Sequence, residues 1–192
     1  VDTLCLTTLY GFASLQLTSA QPCRPYDAAR NGISVGEGAA FALLERAGDP
    51  APGSVLMLGT GESSDAYHMS SPHPEGLGAR LAMEAALRSA GLATADIGYI
   101  NLHGTATPAN EAAEGKAVAA LFGNTVPCSS TKGATGHTLG AAGGVEAVLS
   151  LLALRDGLMP GGLNLRERDP ALQRPEFAAT LAKWRDGGRQ DV

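Results

Sequence analysis

The chain has 192 residues and a formal net charge of −5, with 44% hydrophobic and 17% charged residues. That is enough apolar material for a buried core and too little charge, against an average of about 25%, for a disordered segment. The acidic balance argues against nucleic-acid binding through phosphate contacts.

Residues 1–18 are apolar, with Leu4, Leu6, Leu9, Phe12 and Leu15, and predict a short strand followed by a helix. Residues 21–32 form a polar loop with two prolines. The run ISVGEGAAFALLE, Ile33 to Glu45, reads as a glycine-broken start leading into a buried strand. Asp49 to Gly53 is a turn and Ser54 to Gly61 a second strand, so the two strands predict a hairpin. Residues 62–78 lack apolar periodicity; a loop that long is usually functional or disordered. Ala79 to Ala90 predicts a helix closed by Gly91, and Ile97 to Leu102 a strand that delivers His103 at its end. Thr107 as N-cap and Pro108 at the first helical position start a helix that runs to Phe122 before Gly123. Thr125 to Ser129 is a further short strand. Thr138 to Arg155 is a buried helix ended by Gly157, and residues 183–192 form a frayed tail. The order β-β-α-β-α-β-α indicates an α/β protein with its strand-end loops on one side.

Glycine, at 25 residues, is nearly twice its average share of about 7%, which implies close backbone approach in tightly packed helices. The apolar run from 138 to 154 carries Glu146 and three glycines, and it falls short of the roughly 20 residues a membrane span needs. No stretch has the basic start and apolar core of a secretory signal. The sequence opens on Val1 rather than methionine, so Val1 is not expected to be the natural start of translation. Three lone cysteines, Cys5, Cys23 and Cys128, show no disulfide or zinc spacing and suit a reducing, cytoplasmic setting.

Two segments share one form: a strand, a polar turn with a histidine, then a helix. They are Asn101-Leu-His-Gly-Thr-Ala-Thr-Pro and Ser129-Ser-Thr-Lys-Gly-Ala-Thr-Gly-His137. Strand C-terminal ends are where α/β folds place ligands. Glycine there lets backbone and ligand approach closely, and threonine offers a hydroxyl. The competing reading is two structural histidines that tie down turns. Glu146 is the one charge in an apolar helix, so it needs a partner or a proton; Lys132, just before the helix, is the natural candidate. His68, His73, His103 and His137 form no two-histidine helical motif, and no acid or cysteine stands at ligand spacing, so no metal site is expected. Gly136, Gly140 and Gly144 recur every fourth residue, the mark of one helix face in contact with another helix; the order of a phosphate-binding loop is missing.

These segments, in this order, resemble the β-ketoacyl-acyl carrier protein synthases of the thiolase superfamily. INLHGTATPANEAAE is similar to the family's first histidine motif and SSTKGATGHTLGAAGGVEA to its lysine and second histidine motif. SSDAYHMSSP, RNGISVGEGAAFALLE and GGLNLRERDP are similar to further family segments, and TLYGFASLQLTS to the long-chain or polyene-type branch. The resemblance implies a thiolase-like layered α/β/α fold, of which this chain is one of two repeated halves, incomplete at both ends. Residues 1–20 would close the N-terminal half and 21–182 form the C-terminal half. It also implies a decarboxylating Claisen condensation in fatty acid or polyketide synthesis, without a cofactor. His103 and His137 would be the catalytic histidines, Lys132 and Glu146 a supporting ion pair, and Thr105, Thr107 and Ser71 contacts for a pantetheine arm. Glu111 stands where an aspartate is commoner. The implied partners are an acyl carrier protein with its phosphopantetheine arm, the N-terminal half of the same synthase, and a second subunit in a homodimer or heterodimer. Arg24, Arg30 and Lys116 are the candidates for a local basic patch facing the carrier.

The family's nucleophilic cysteine belongs to an earlier motif at a helix N-terminus, where its pKa would fall. That motif is absent from these residues. Cys5 in an apolar strand, Cys23 in a loop and Cys128 at a strand end read as bystanders, so the chain alone is expected to condense nothing. Rival readings are a non-catalytic partner subunit of a heterodimeric synthase, a folded interaction fragment, and a thiolase. Retention of both histidines and Lys132 disfavours the first. Purification as a monomer without acyl binding would favour the second. The lack of a late acid/base cysteine disfavours the third.

Overall fold

The protein is described by a computed structural model over residues 1–172 together with Glu176–Phe177 and Ala182–Lys183. The tail expected from 183 onward lies, past Lys183, outside the described residues. The elements run α1 (Leu6–Ser14), α2 (Leu77–Ala90), β1 (Ile100–Asn101), α3 (Pro108–Phe122), β2 (Pro127–Ser129), α4 (Lys132–Thr135), α5 (Ala142–Asp156), β3 (Leu158–Met159), β4 (Glu176–Phe177) and β5 (Ala182–Lys183). β1, β2 and β4 form a parallel sheet in that order, and β3 pairs antiparallel with β5.

Local signals set the limits of α3. Thr107 is extended at the N-cap, Pro108 fills the first helical position, Glu111 lies in the first turn and Gly123 follows Phe122. Proline loses nothing there, since that N–H has no helical partner, and an acid in the first turn suits the helix dipole. α2 stops at Gly91 in the left-handed region, whose N–H turns back to Arg88 O, a common helix ending. α2 packs on α3 through small residues: a Cβ at Gly76 would meet Ala117 Cβ at 2.9 Å. Tyr26, Leu102, Val118, Cys128 and Leu172 form the buried core, with Met83, Ile100, Ala112 and Phe122 packed against it.

Several expectations fail for tertiary reasons. Residues 33–45 and 54–61 do not form a hairpin. The first segment spends its backbone groups elsewhere, in isolated bridges of Asp2 with Gly38, Thr18 with Ile33 and Val35 with His137. Its apolar end is open rather than buried, with Phe41 85% and Leu43 86% exposed. The second lies against α2, where a Cβ at Gly59 would meet Ala90 N at 2.6 Å, while Val55, Leu56, Met57 and Leu58 stay exposed. The helix expected over 138–155 starts only at Ala142. His137 N–H donates to Ser34 O at 2.7 Å and Gly36 N–H to His137 O at 2.9 Å, so this stretch is drawn to residues 34–36. Gly136 and Leu139 take positive φ there. Consequently Gly136, Gly140 and Gly144 share no helix face; their missing Cβ atoms leave room for Ser34 O, Asp2 and Ala40. α5 is not fully buried either: Val148, Leu151 and Leu154 are exposed. Cys5 caps α1 rather than lying in a strand.

The long loop before α2 is tied down. Asp65 accepts Gly78 N–H at 2.7 Å and His73 N–H at 3.0 Å, and Lys116 pairs with Glu75 at 2.6 Å. Among the described residues no helix is long and apolar enough to cross a membrane.

Candidate active site

The parallel register brings the two histidine turns together. Ile100 faces Cys128 and Asn101 faces Ser129, and Leu102 N–H donates to Ser129 O at 2.8 Å. The turns that leave the two strand ends are therefore neighbours. Gly104, at φ +40, has no room for a Cβ because Ser130 Oγ would lie 2.7 Å from it. Ser130 Oγ in turn donates to Gly104 O at 2.8 Å. The His103 and His137 rings meet edge-on, with centroids 5.1 Å apart and planes at 85°.

Lys132 is 1% exposed, and its three N–H donors all find acceptors: the Glu146 carboxylate, His103 O at 2.6 Å and His103 Nδ1 at 3.3 Å. An ammonium can only donate, so His103 Nδ1 accepts and the ring proton sits on Nε2. His137 Nδ1 accepts Leu139 N–H at 3.1 Å, which places its proton on Nε2 as well. The surroundings thus fix one tautomer in both rings. Although His103 keeps an open side, desolvation of the rest of the ring, then the charge on Lys132, lowers its pKa to about 4. Desolvation, then Lys132 and His103, takes His137 to about 4. Both rings are neutral at pH 7. Burial pushes the Glu146 carboxyl up, against the pull of Lys132.

These depressed values link folding to pH. Between about pH 6.5 and about pH 4 an unfolded histidine takes up a proton that the folded one refuses, so this contribution to stability falls as pH falls through that window. Burial pushes the Glu111 carboxyl up, which works in the opposite sense, against the pull of Arg30 and of two backbone N–H donors that call for the ionised form. The histidine share is therefore a difference between proteins: from pH 7 to pH 5, wild type should lose more stability than His103→Gln/His137→Gln. Urea midpoints at the two pH values check this, and an equal loss in both proteins refutes it.

Two carboxylates that sequence reading left without a role build the His103 turn. Glu114 Oε1 accepts His103 N–H at 2.6 Å, and its Oε2 accepts Gly104 N–H at 2.9 Å and Tyr26 O–H at 2.8 Å. Glu111 accepts Ala106 N–H at 2.6 Å and Tyr26 N–H at 3.0 Å. The available signal was a pair of acids three residues apart on one helix face, directly after the histidine turn. Thr105 and Thr107 join through their hydroxyls at 2.9 Å beside His103; Thr105 is buried and Thr107 half-buried. Ser71 lies exposed in the loop before α2, and among the described residues no hydrogen bond links it to either turn. Arg30 is buried against Glu111 and Asp169 and Lys116 is engaged with Glu75, so the expected basic patch loses both as free cations. Cys23 donates its thiol to Lys132 O at 3.0 Å and Cys128 is fully buried. Cys5 is exposed and bonded to Thr8, which lowers its pKa. Among the described residues no three His, Cys, Asp or Glu side chains are grouped to hold a metal ion.

The fold is that of the thiolase-like ketosynthases. A ketosynthase in complex with its chain length factor from Xenorhabdus doucetiae matches 96% of this chain and 46% of that one, with a TM-score of 0.85 and 41% identity. A β-ketoacyl synthase from Burkholderia phymatum matches 95% of this chain and 47% of that one, with a TM-score of 0.82 and 32% identity. In sequence the chain is 44% identical over 157 residues to 3-oxoacyl-[acyl-carrier-protein] synthase 2 of Vibrio cholerae, 78% of this chain and 38% of that protein. It is 42% identical over 171 residues to the mitochondrial 3-oxoacyl-[acyl-carrier-protein] synthase of Arabidopsis thaliana, 83% of this chain and 37% of that protein. The β-ketoacyl synthase C-terminal domain matches residues 55–166 and the N-terminal domain residues 2–49. The chain belongs to the β-ketoacyl synthase family. It spans less than half the length of these relatives.

Proposed function

We propose that this chain is the histidine-bearing part of a β-ketoacyl-acyl carrier protein synthase in fatty acid or polyketide/polyene synthesis. The observation that carries the reading is the pair of neutral imidazoles, both with the proton on Nε2 and with ring centroids 5.1 Å apart. In the reaction, the carboxylate of a malonyl thioester leaves as carbon dioxide. The electron pair of the broken C–C bond passes into the thioester, as an enolate. The two Nε2–H groups stabilise the enolate oxygen. The enolate carbon then attacks the acyl-enzyme carbonyl; a C–C bond forms, the cysteine thiolate departs and the β-ketoacyl thioester remains on the carrier.

Lys132 and Glu146 hold the first ring's tautomer and its backbone. Thr105 and Thr107, beside His103, suit the amide groups of a phosphopantetheine arm, and Ser71 is a more remote contact in the same proposal. The partners are then an acyl carrier protein, the rest of the synthase, and a second subunit, either identical or a chain length factor-like partner, in the cytoplasm. The rest of the synthase is the occupant that the exposed Phe41, Leu43 and Leu44 call for. A purely non-catalytic partner would have no use for two oriented imidazoles.

The nucleophile lies outside these 192 residues. When the complete synthase is incubated with an acyl thioester and digested, mass spectrometry should find the acyl group on a cysteine outside this chain, and equally so in Cys5→Ser. Acylation of Cys5 in place of an outside cysteine would overturn this assignment.

A further inference from the structure

Arg30 sits in the sequence like a surface cation, and the fold buries it. Its side chain is 7% exposed, with Nε 2.7 Å from Glu111 Oε2 and Nη1 2.6 Å from Asp169 Oδ2. Glu111, itself fully buried, receives the Ala106 and Tyr26 N–H groups. Ala106 is the strained point of the His103 turn: a buried non-glycine residue at φ +67. A side-chain-bearing residue stays in that region only when its surroundings hold it there. Both of its backbone groups are held, the N–H by Glu111 and the carbonyl by Gly32 N–H at 2.9 Å. Gly32 lies two residues from Arg30, so one short loop grips the turn directly at its carbonyl and through Glu111 at its N–H.

We propose that Arg30 is a positioning residue of the decarboxylation site, acting through Glu111 to hold the Ala106 turn and with it His103, Thr105 and Thr107. The proposal rests on the catalytic reading above. The chain of contacts is Arg30, Glu111, Ala106, then three residues back to the imidazole. Arg30's second contact, with Asp169, ties the segment after α5 to the same loop but does not touch the turn. The two ion pairs therefore separate the roles: losing either loosens packing, and only loss of the Glu111 pair disturbs the imidazole.

The test compares Arg30→Lys, Arg30→Met and Asp169→Asn in the complete synthase. Read out are malonyl-thioester decarboxylation, acylation of the nucleophile, and hydrogen exchange of the Ala106 amide. Arg30→Met should slow decarboxylation by about tenfold or more, because the His103 donor is displaced rather than because Arg30 touches the reacting atoms, with acylation within about twofold of wild type. Arg30→Lys keeps the charge without the planar fork and should fall between. Asp169→Asn should leave decarboxylation and Ala106 exchange as in wild type. Should Arg30→Met not fold, the ordering of Arg30→Lys below Asp169→Asn decides. Equal losses in Arg30→Lys and Asp169→Asn, or an Ala106 amide no faster to exchange in Arg30→Lys than in wild type, overturn the proposal. If wild type itself fails to decarboxylate, the catalytic reading falls, and Ala106 exchange still decides whether Arg30 holds the turn.

Discussion

His103→Ala in the complete synthase should slow malonyl-thioester decarboxylation by about 10²–10³-fold, the usual cost of losing one oriented oxyanion donor, while acyl transfer to the nucleophile continues. The split follows from when each interaction is made. In the proposed mechanism the negative charge that Nε2–H stabilises is absent from the thioester oxygen of the bound malonyl group and appears there as carbon dioxide departs, so loss of the donor raises the barrier of that step. Acyl transfer uses the cysteine and whatever donors face its own tetrahedral intermediate. Neutrality of the ring matters for the same reason. A ring with a pKa near 4 donates an N–H at pH 7 without adding a second full charge beside Lys132. His137→Ala should fall in the same range, and the double variant should lose little more than either single, because the two donors serve one oxygen as a unit. Carbon dioxide release from a labelled malonyl thioester, with acylation followed by mass, measures both steps. Decarboxylation within about twofold of wild type in His103→Ala would remove the imidazole pair from the mechanism.

How much of this was legible depended on whether the cause was local. The limits of α3 follow from Thr107, Pro108 and Gly123, residues that act on their own turn, and they stand as read. The pairing of Lys132 with Glu146 follows from the cost of a lone carboxylate in an apolar helix, and the structure joins the two. The rings do meet at one place, but only His103 leaves its strand in a simple turn; the short helix α4 lies between β2 and His137. What failed was set at a distance. The backbone of residues 136–139 is captured by Ser34 and Gly36, a hundred residues away, and no pattern within 138–155 announces it. Phe41, Leu43 and Leu44 have the composition of a buried strand; burial needs a covering surface, which these residues do not supply to one another. Glu111 and Glu114 look like ordinary helix charges until the fold sets them against backbone N–H groups, and Arg30 like a loop charge until it is buried against Glu111 and Asp169. The polar core of this site is thus written in residues whose sequence context is bland.

Lys132→Met is expected to cost stability and catalysis together, and a second substitution should separate the two. The single change leaves Glu146 facing a void of charge, along with His103 O and Nδ1. Breaking a buried ion pair from one side typically costs about 3–5 kcal/mol. The loss here should sit at the low end, because Glu146 is 19% exposed and burial already favours its protonated form. Lys132→Met/Glu146→Leu removes both charges and restores apolar contact, so most of the stability should return. Decarboxylation should not return. With no donor at Nδ1, the His103 ring is free to carry its proton on either nitrogen and to rotate, and the fraction with Nε2–H aimed at the enolate falls. Denaturant midpoints and single-turnover decarboxylation, measured on both variants, supply the comparison. A double variant that is stable and decarboxylates at the wild-type rate would show that Lys132 serves the fold alone and that the imidazole tautomers are fixed by something else.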